Sequence, residues 1–370
     1  MVGEKKIFAQ TVFTGNSVLK EQLITCTNGY IHAIEPGEKE QATILVANLA
    51  PGFFDIQVNG GEHFHFTAKP DTLCLADMEK ACIDAGTAYV LPTLITSSIE
   101  NIFKGIDAVR SYQQQHPTSA ILGMHLEGPF IHVKKRGAHL TKYILKPDKK
   151  LIEEIVQYGH GTILQMTIAP EVFDEDTLHV LLDAGMALSV GHTNATYAEA
   201  MAAFDLGIHQ VTHLFNAMSP LQHREPGVVG AALDHHAVFT PVVLDGKHVS
   251  FAAARIAAKV KREKFFLISD ALFLGRKKQH FQWEEFDAQL IQDEYLNSEG
   301  NLAGAAISLA DAVVNAVQYL GVSVQEAVEM ATSRAAKAVK QKGIAKIMPG
   351  YPARFTTFTD ALNEFKVLSL

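Results

Sequence analysis

The chain has 370 residues, 48% of them hydrophobic, which is more than one core usually serves and points to a large domain with a small companion. A formal charge of −8 and a pI near 6.1 argue against a duplex-binding surface, and the basic clusters Lys134-Lys135-Arg136 and Arg276-Lys277-Lys278 read as solvated loop faces. No run approaches the roughly 18 apolar residues that cross a bilayer, Met1 to Thr14 lacks a secretion signal, and Cys26, Cys74 and Cys82 lack Cys-x-x-Cys spacing, so a cytoplasmic protein with no nucleic-acid or membrane partner is expected.

Residues 1 to about 50 alternate β-prone runs with turns: Lys6 to Phe13, Ser17 to Leu19, Gln22 to Thr27 and, after Asn28-Gly29, Tyr30 to Glu35. An Asn-Gly pair between two such runs predicts a hairpin. The tail has the same texture, with Ala353 to Phe358 following the Pro349-Gly350 turn. Residues 1–50 and 346–370 are therefore expected to form one small β-sandwich domain, interrupted by an insertion over 51–345. Within the insertion, eight apolar runs predict strands: Gly52 to Val58, Ala88 to Ile95, Ile121 to Glu127, Ile163 to Ala169, Ala187 to His192, Gln210 to His213, Val238 to Leu244 and Phe265 to Ser269. Segments of helical spacing lie between them, such as Asp71 to Ala85, Leu151 to Tyr158, Asp174 to Ala184 and Tyr197 to Leu206. This alternation predicts an α/β fold, a (β/α)8 barrel of the TIM type, with an open doubly wound sheet as the alternative that periodicity alone leaves.

Several of these runs stop at one ionisable side chain followed by small or turn-forming residues, the way a parallel barrel presents groups at its carboxyl-terminal mouth. Glu127 in His125-Leu126-Glu127-Gly128-Pro129, His192 in Val190-Gly191-His192-Thr193-Asn194 and His213 in Thr212-His213-Leu214-Phe215-Asn216 end the third, fifth and sixth runs. One carboxylate and two imidazoles suit a catalytic zinc, because three protein ligands leave a position open for water. Asp270, in Ser269-Asp270-Ala271, adds the base that such a water needs. Its other reading is a helix N-cap, although Ala271 to Gly275 makes a poor helix start. His63-Phe64-His65 has metal-binding spacing but falls beyond the strand end, where the expectation is a loop with Phe64 and Phe66 inward and the imidazoles solvated.

Seven segments in fixed order carry a resemblance over nearly the whole chain: Pro51 to Gly60, His125 to Phe130, Gly191 to Tyr197, Thr212 to Met218, Arg224-Glu225-Pro226-Gly227, Asp245-Gly246-Lys247-His248 and Ser269-Asp270-Ala271. The chain resembles the N-acetylglucosamine-6-phosphate deacetylase branch of the amidohydrolase superfamily. The resemblance implies a metal-dependent hydrolase of amino sugar catabolism that converts N-acetyl-D-glucosamine 6-phosphate to D-glucosamine 6-phosphate and acetate. It makes Glu127, His192 and His213 the ligands of one divalent ion, Asp270 the general base, and His139 the group that polarises the acetamide carbonyl. Gln57 and Asn59, where relatives with two metals carry His-x-His, imply the one-metal type. The resemblance further implies substrate contacts from Gln57, Asn59, Asn216, Ala217, His248, Leu302 and Ala303, and a homodimer in which Arg224 reaches the neighbouring site.

The residues alone allow other readings at some of these positions. Arg presents a planar fork of donors suited to phosphate, yet Arg224 can equally pair with Glu225 at the surface, and His139 can be an exposed loop histidine. Zinc suits the ligand set, while iron, manganese and cobalt bind imidazole and carboxylate too. Rival functions are deacetylation of the galactosamine epimer, hydrolysis of a cyclic amide, and a metal-free barrel that only binds sugar phosphate. Departures from the family pattern fall at Ala331 to Ala336 and Ala353-Arg354-Phe355, outside the mouth, and the basic stretch Gly275 to Gln282 leaves the loop after Asp270 unassigned.

Overall fold

The computed structural model describes residues 3–370. The chain starts with four strands, β1 (Lys5–Phe13), β2 (Val18–Thr27), β3 (Tyr30–Pro36) and β4 (Ile44–Pro51). The runs Ser17 to Leu19 and Gln22 to Thr27 fuse into β2. Asn28 and Gly29, at φ 52° and 81°, turn β2 into antiparallel β3 with the positive φ values of a tight hairpin.

From there the strands lie almost wholly buried: β5 (Phe53–Val58), β6 (Thr87–Ile95), β7 (Met124–Glu127), β8 (Ile163–Ile168), β9 (Ala187–Val190), β10 (Thr240–Val243) and β11 (Phe265–Ile268). Between them run α1 (Thr72–Asp84), α2 (Ile99–Gln115), α3 (Lys149–Gly159), α4 (Glu175–Asp183), α5 (Tyr197–Asp205), α6 (Gly227–Asp234) and α7 (Phe251–Lys261). Each of α1 to α5, and α7, starts on a Ser, Thr or Asp whose side chain accepts a backbone N–H of the first turn, as at Asp71, Ser98 and Thr196. These caps end the loops at the strands' carboxyl ends, which fixes where each loop must turn.

Strands β5 to β9 pair in sequence order as one parallel sheet, and β10 pairs parallel with β11. The parallel bridges Val190↔Val211 and Gln210↔Phe239 span the gap between them, and Val58↔Ala271 links the end of β11 back to β5. The expected strand from Gln210 to His213 thus contributes single bridges rather than a ladder, because His213 leaves the extended path at φ 29°. The seam between β5 and β11 is sewn by Asp270 N–H to Gln57 O (3.0 Å), Asn59 N–H to Ala271 O (2.9 Å) and Ser269 N–H to the Asp55 carboxylate (3.2 Å). The strands therefore curl, with their carboxyl ends gathered on one side.

Beyond this side lies an antiparallel meander that the sequence reading did not foresee: β12 (His280–Trp283), β13 (Phe286–Ile291) and β14 (Glu294–Leu296). Its apolar face joins Phe281, Phe286 and Tyr295 to Leu140, Leu272 and Phe273 in a core of its own. The chain ends in β15 (Arg354–Phe358) and β16 (Lys366–Ser369), which complete a six-stranded sheet in the order β16-β15-β4-β1-β2-β3. Both ends of the chain thus meet in one mixed sheet. The departures near the carboxyl end are built in: buried Arg334 donates to the carbonyls of Arg262 (2.8 Å) and Phe265 (3.0 Å), and Arg354 donates to Thr118 O (2.7 Å). Cys26, Cys74 and Cys82 are buried free thiols.

Candidate metal centre and active site

Glu127 closes β7, while His192 and Asp270 lie two residues beyond β9 and β11. β9 and β11 each end on a buried apolar residue, Val190 and Ile268, just before the ionisable group. His192 and His213 each bring Nε2 to 3.1 Å from Glu127 Oε1, and the two nitrogens are 3.2 Å apart. Donors bound to a tetrahedral zinc at ordinary bond lengths are about 3.3 Å from one another, so this triangle fits such an ion. His192 Nδ1 lies 2.9 Å from Lys135 O, an acceptor that fixes the proton on Nδ1 and leaves Nε2 bare for a ligand. Glu127, His139 and His192 also form a group whose ligand atoms all lie within 4.8 Å of one another, so four side chains border the same point.

Asp270 Oδ1 accepts from Asn59 Nδ2 (2.8 Å) and Gln57 Nε2 (3.2 Å), and the same Gln57 nitrogen reaches Glu127 Oε1 at 3.2 Å. Amide donors thus stand where a second ion would need bare ligands. Burial pushes the Asp270 carboxyl above its ordinary range, and the charge of Glu127 adds to this. For Glu127 burial acts upward too, but the His192 and His213 rings, each 3.1 Å away, outweigh it and hold the carboxyl well below that range. Burial and the nearby His192 push His139 well down, so it is a neutral imidazole. Its Nδ1 meets Thr96 Oγ1 at 2.7 Å, and Thr96 Oγ1 also lies 3.1 Å from Glu127 O.

A cavity of about 390 Å³ opens over these groups, lined also by Asn216, Ala217, His248, Leu302 and Ala303. Burial raises the Asp245 carboxyl, yet the His248 ring at 2.6 Å and two backbone N–H groups bring it below its usual value, so Asp245 orients His248. A larger depression of about 690 Å³ lies elsewhere, beside Leu221, Lys259 and Arg262, and holds none of the strand-end residues.

Of the expected site residues, Arg224 alone stands apart from this constellation. It is exposed, outside the cavity lining, and makes no ion pair among the described residues, with Glu225 or otherwise. The solvated reading of His65 is wrong: the ring is buried against Phe281 and lines the cavity, while His63 is exposed and pairs with Asp77 at 2.7 Å. The exposed-loop reading of His139 and the N-cap reading of Asp270 fail as well. His139 is buried, and Asp270 is followed by an irregular segment at φ 48° rather than a helix. Thr96 and Lys135 O, which orient the imidazoles, were missed, since nothing local marks a backbone carbonyl as a partner.

The amidohydrolase family model matches residues 48–369. An N-acetylglucosamine-6-phosphate deacetylase of Haemophilus influenzae is 31% identical over 358 residues, covering 94% of this chain and 93% of the relative. An N-acetylgalactosamine-6-phosphate deacetylase of a Shewanella species is 33% identical over 328 residues, covering 87% and 82%. The crystal structure of N-acetylglucosamine-6-phosphate deacetylase from Pasteurella multocida superposes with a TM-score of 0.92 at 31% identity, covering 100% of this chain and 98% of that one. With carboxylate and imidazoles gathered at the ends of curled parallel strands, and with likeness over nearly its whole length, the chain belongs to the amidohydrolase family.

Proposed function

We propose that the chain hydrolyses the acetamide of N-acetyl-D-glucosamine 6-phosphate, releasing acetate and D-glucosamine 6-phosphate. The observation that carries this reading is the triangle of Glu127 Oε1, His192 Nε2 and His213 Nε2, with sides of 3.1–3.2 Å, beside the amide-tethered Asp270. The three residues are read as the ligands of one divalent ion, for which zinc is the first choice and iron, manganese or cobalt are alternatives. Such an ion supplies a Lewis acid for the acetamide carbonyl and acidifies water. Asp270, less acidic than an ordinary carboxylic acid, takes the proton of the attacking water and returns it to the leaving nitrogen. His139 is read as the group beside the acetamide carbonyl, and its ring is held in place by Thr96 Oγ1 at 2.7 Å. Asn216, Ala217, His248, Leu302 and Ala303 hold the sugar phosphate in the cavity. The exposure of Arg224 supports a homodimer in which this side chain completes the neighbouring phosphate site.

The bridges that join the parallel strands support a closed (β/α)8 barrel over residues 51–345, and the shared terminal sheet supports a small β-sandwich domain over 1–50 and 346–370. Free thiols suit a reducing compartment such as the cytoplasm. Identity to the Shewanella protein favours a second reading, in which the galactosamine epimer is the substrate. The test is acetate release from both phosphorylated hexosamines, with metal content measured before and after chelation. Turnover of one sugar, loss of activity with the metal and recovery on its return are expected; turnover that survives complete metal removal overturns the reading.

A further inference from the structure

The hairpin after β5 carries an imidazole that the chemistry above does not use. Asn59 and His65 stand on its two arms, joined by the Gly60↔His65 bridge and by Phe66 N–H to Asn59 O at 2.8 Å. A Cβ on Gly60 would come within 2.4 Å of Leu272 O, so the hairpin is pressed against the segment that follows Asp270. His65 is 2% exposed and lines the same cavity as Glu127 and Asp270. Its ring stacks on Phe281 at 4.8 Å, with Phe273 and Phe286 at 6.1 and 6.3 Å.

Among the described residues, neither ring nitrogen of His65 has a hydrogen-bond partner, and neither has Asn59 Oδ1, whose amide nitrogen is committed to Asp270. Buried polar atoms without partners are costly, and a phenylalanine would fill this aromatic cage without that cost. Burial pushes the imidazole down to about 3, so it is neutral at working pH and offers one N–H and one lone pair. A phosphate or carboxylate would set its lone pairs against Asn59 Oδ1. A hydroxyl, which donates once and accepts twice, satisfies both residues.

We propose that His65 and Asn59 Oδ1 form a subsite for one ring hydroxyl of the sugar, which makes His65 a specificity-determining residue. This rests on the deacetylase reading. The two deacetylases that the chain resembles at 31% and 33% identity differ only in the configuration of one ring hydroxyl of their substrates, so a residue that reads such a group bears directly on which sugar is accepted.

The test compares wild type, His65→Phe and His65→Gln on the phosphorylated N-acetylhexosamine that turns over and on its 3-deoxy and 4-deoxy analogues. Removing the nitrogens should lower kcat/KM for the parent sugar roughly 10- to 100-fold, the scale of a buried group left unpaired. It should change nothing for the analogue that lacks the hydroxyl in question, and Gln, which keeps a donor and an acceptor, should restore part of the loss. Phe fits the aromatic cage, so its thermal midpoint should match or exceed that of wild type. Equal losses on the parent and both analogues, or no loss at all, overturn the subsite while leaving the deacetylase reading intact. Should His65→Phe fail to fold, unaltered selectivity of His65→Gln combined with wild-type preference unaffected by either missing hydroxyl overturns it as well. A wild type that cleaves neither phosphorylated hexosamine overturns both.

Discussion

Replacing Asp270 by Asn isolates its proton-accepting role from its structural one. Asp270 Oδ1 is the acceptor for Asn59 Nδ2 and Gln57 Nε2, at 2.8 and 3.2 Å, and an asparagine oxygen can keep both bonds in the same volume. What changes is the second oxygen, which becomes an NH2 group and can no longer take a proton. Loss of one general base costs at least ~10²-fold in rate, so kcat should fall to 1% or less of wild type, while KM and metal content stay near the wild-type values. Asp270→Ala differs in a measurable way: it strands two buried amide donors, each costing about 1–3 kcal/mol, so it should unfold at lower temperature than Asp270→Asn with a rate no better. The assay is acetate release at saturating substrate, with metal analysis and thermal melts on each variant. If Asp270→Asn keeps more than a tenth of wild-type turnover with its metal in place, Asp270 is not the base.

A methyl group on Gly191 would meet Thr212 Cβ at 2.6 Å and Thr167 Cγ2 at 2.9 Å, beside His192 and His213. Gly191→Ala should therefore cost about 1–3 kcal/mol of stability and weaken metal binding at least ~10-fold, with wild-type melting and metal titration as the contrary result. If Arg224 serves the neighbouring site, mixing impaired Arg224→Ala and Asp270→Asn subunits restores one complete site per hybrid dimer and about a quarter of wild-type activity under random exchange; a mixture no better than its parts removes the shared site. His65 has a folded value of about 3 against 6.5 in the unfolded chain, so only the unfolded state binds a proton between these limits. The ring therefore leaves stability nearly independent of pH above 6.5, and stability falls below that, by roughly 2 kcal/mol between pH 7 and 5. The surrounding phenylalanines carry no charge to offset this, and urea midpoints of His65→Phe should show a correspondingly flatter acid limb; an unchanged slope counts against the buried neutral ring.

What the sequence made legible was local. Glu127, His192, His213 and Asp270 stood out because each stops an apolar run, and the helical segments near Asp71, Leu151, Asp174 and Tyr197 because their apolar residues recur at helical spacing. The Asn28-Gly29 hairpin was readable for the same reason: two residues determine it. Burial of His65 is different, since Phe273, Phe281 and Phe286 come from far downstream, across the meander. The meander itself was hidden because its strands are short and one face is polar, so Gly275 to Gln282 read as a basic loop. His139 looked like a loop residue until Thr96, from the end of another strand, gave it a buried partner.

The backbone explains why the chemistry sits at the strand ends and not along the strands. His192, His213 and Asp270 take φ values of 48°, 29° and 48°, a left-handed region that costs a non-glycine residue about 1–2 kcal/mol. Leaving the extended path there breaks the strict alternation of side chains and swings the ionisable group toward the axis. The turn is held from outside the strand: His192 O accepts from His132 N–H at 2.8 Å, Asp270 donates to Gln57 O at 3.0 Å, and Asp270 O accepts from Ala305 N–H at 2.9 Å. His132 is brought by the loop after β7 and Gln57 by β5, so each partner comes from another element. The donor triangle is therefore a property of the paired strands and not of any one strand, so its geometry and folding are coupled, and a metal bound there would stabilise the folded chain as a whole.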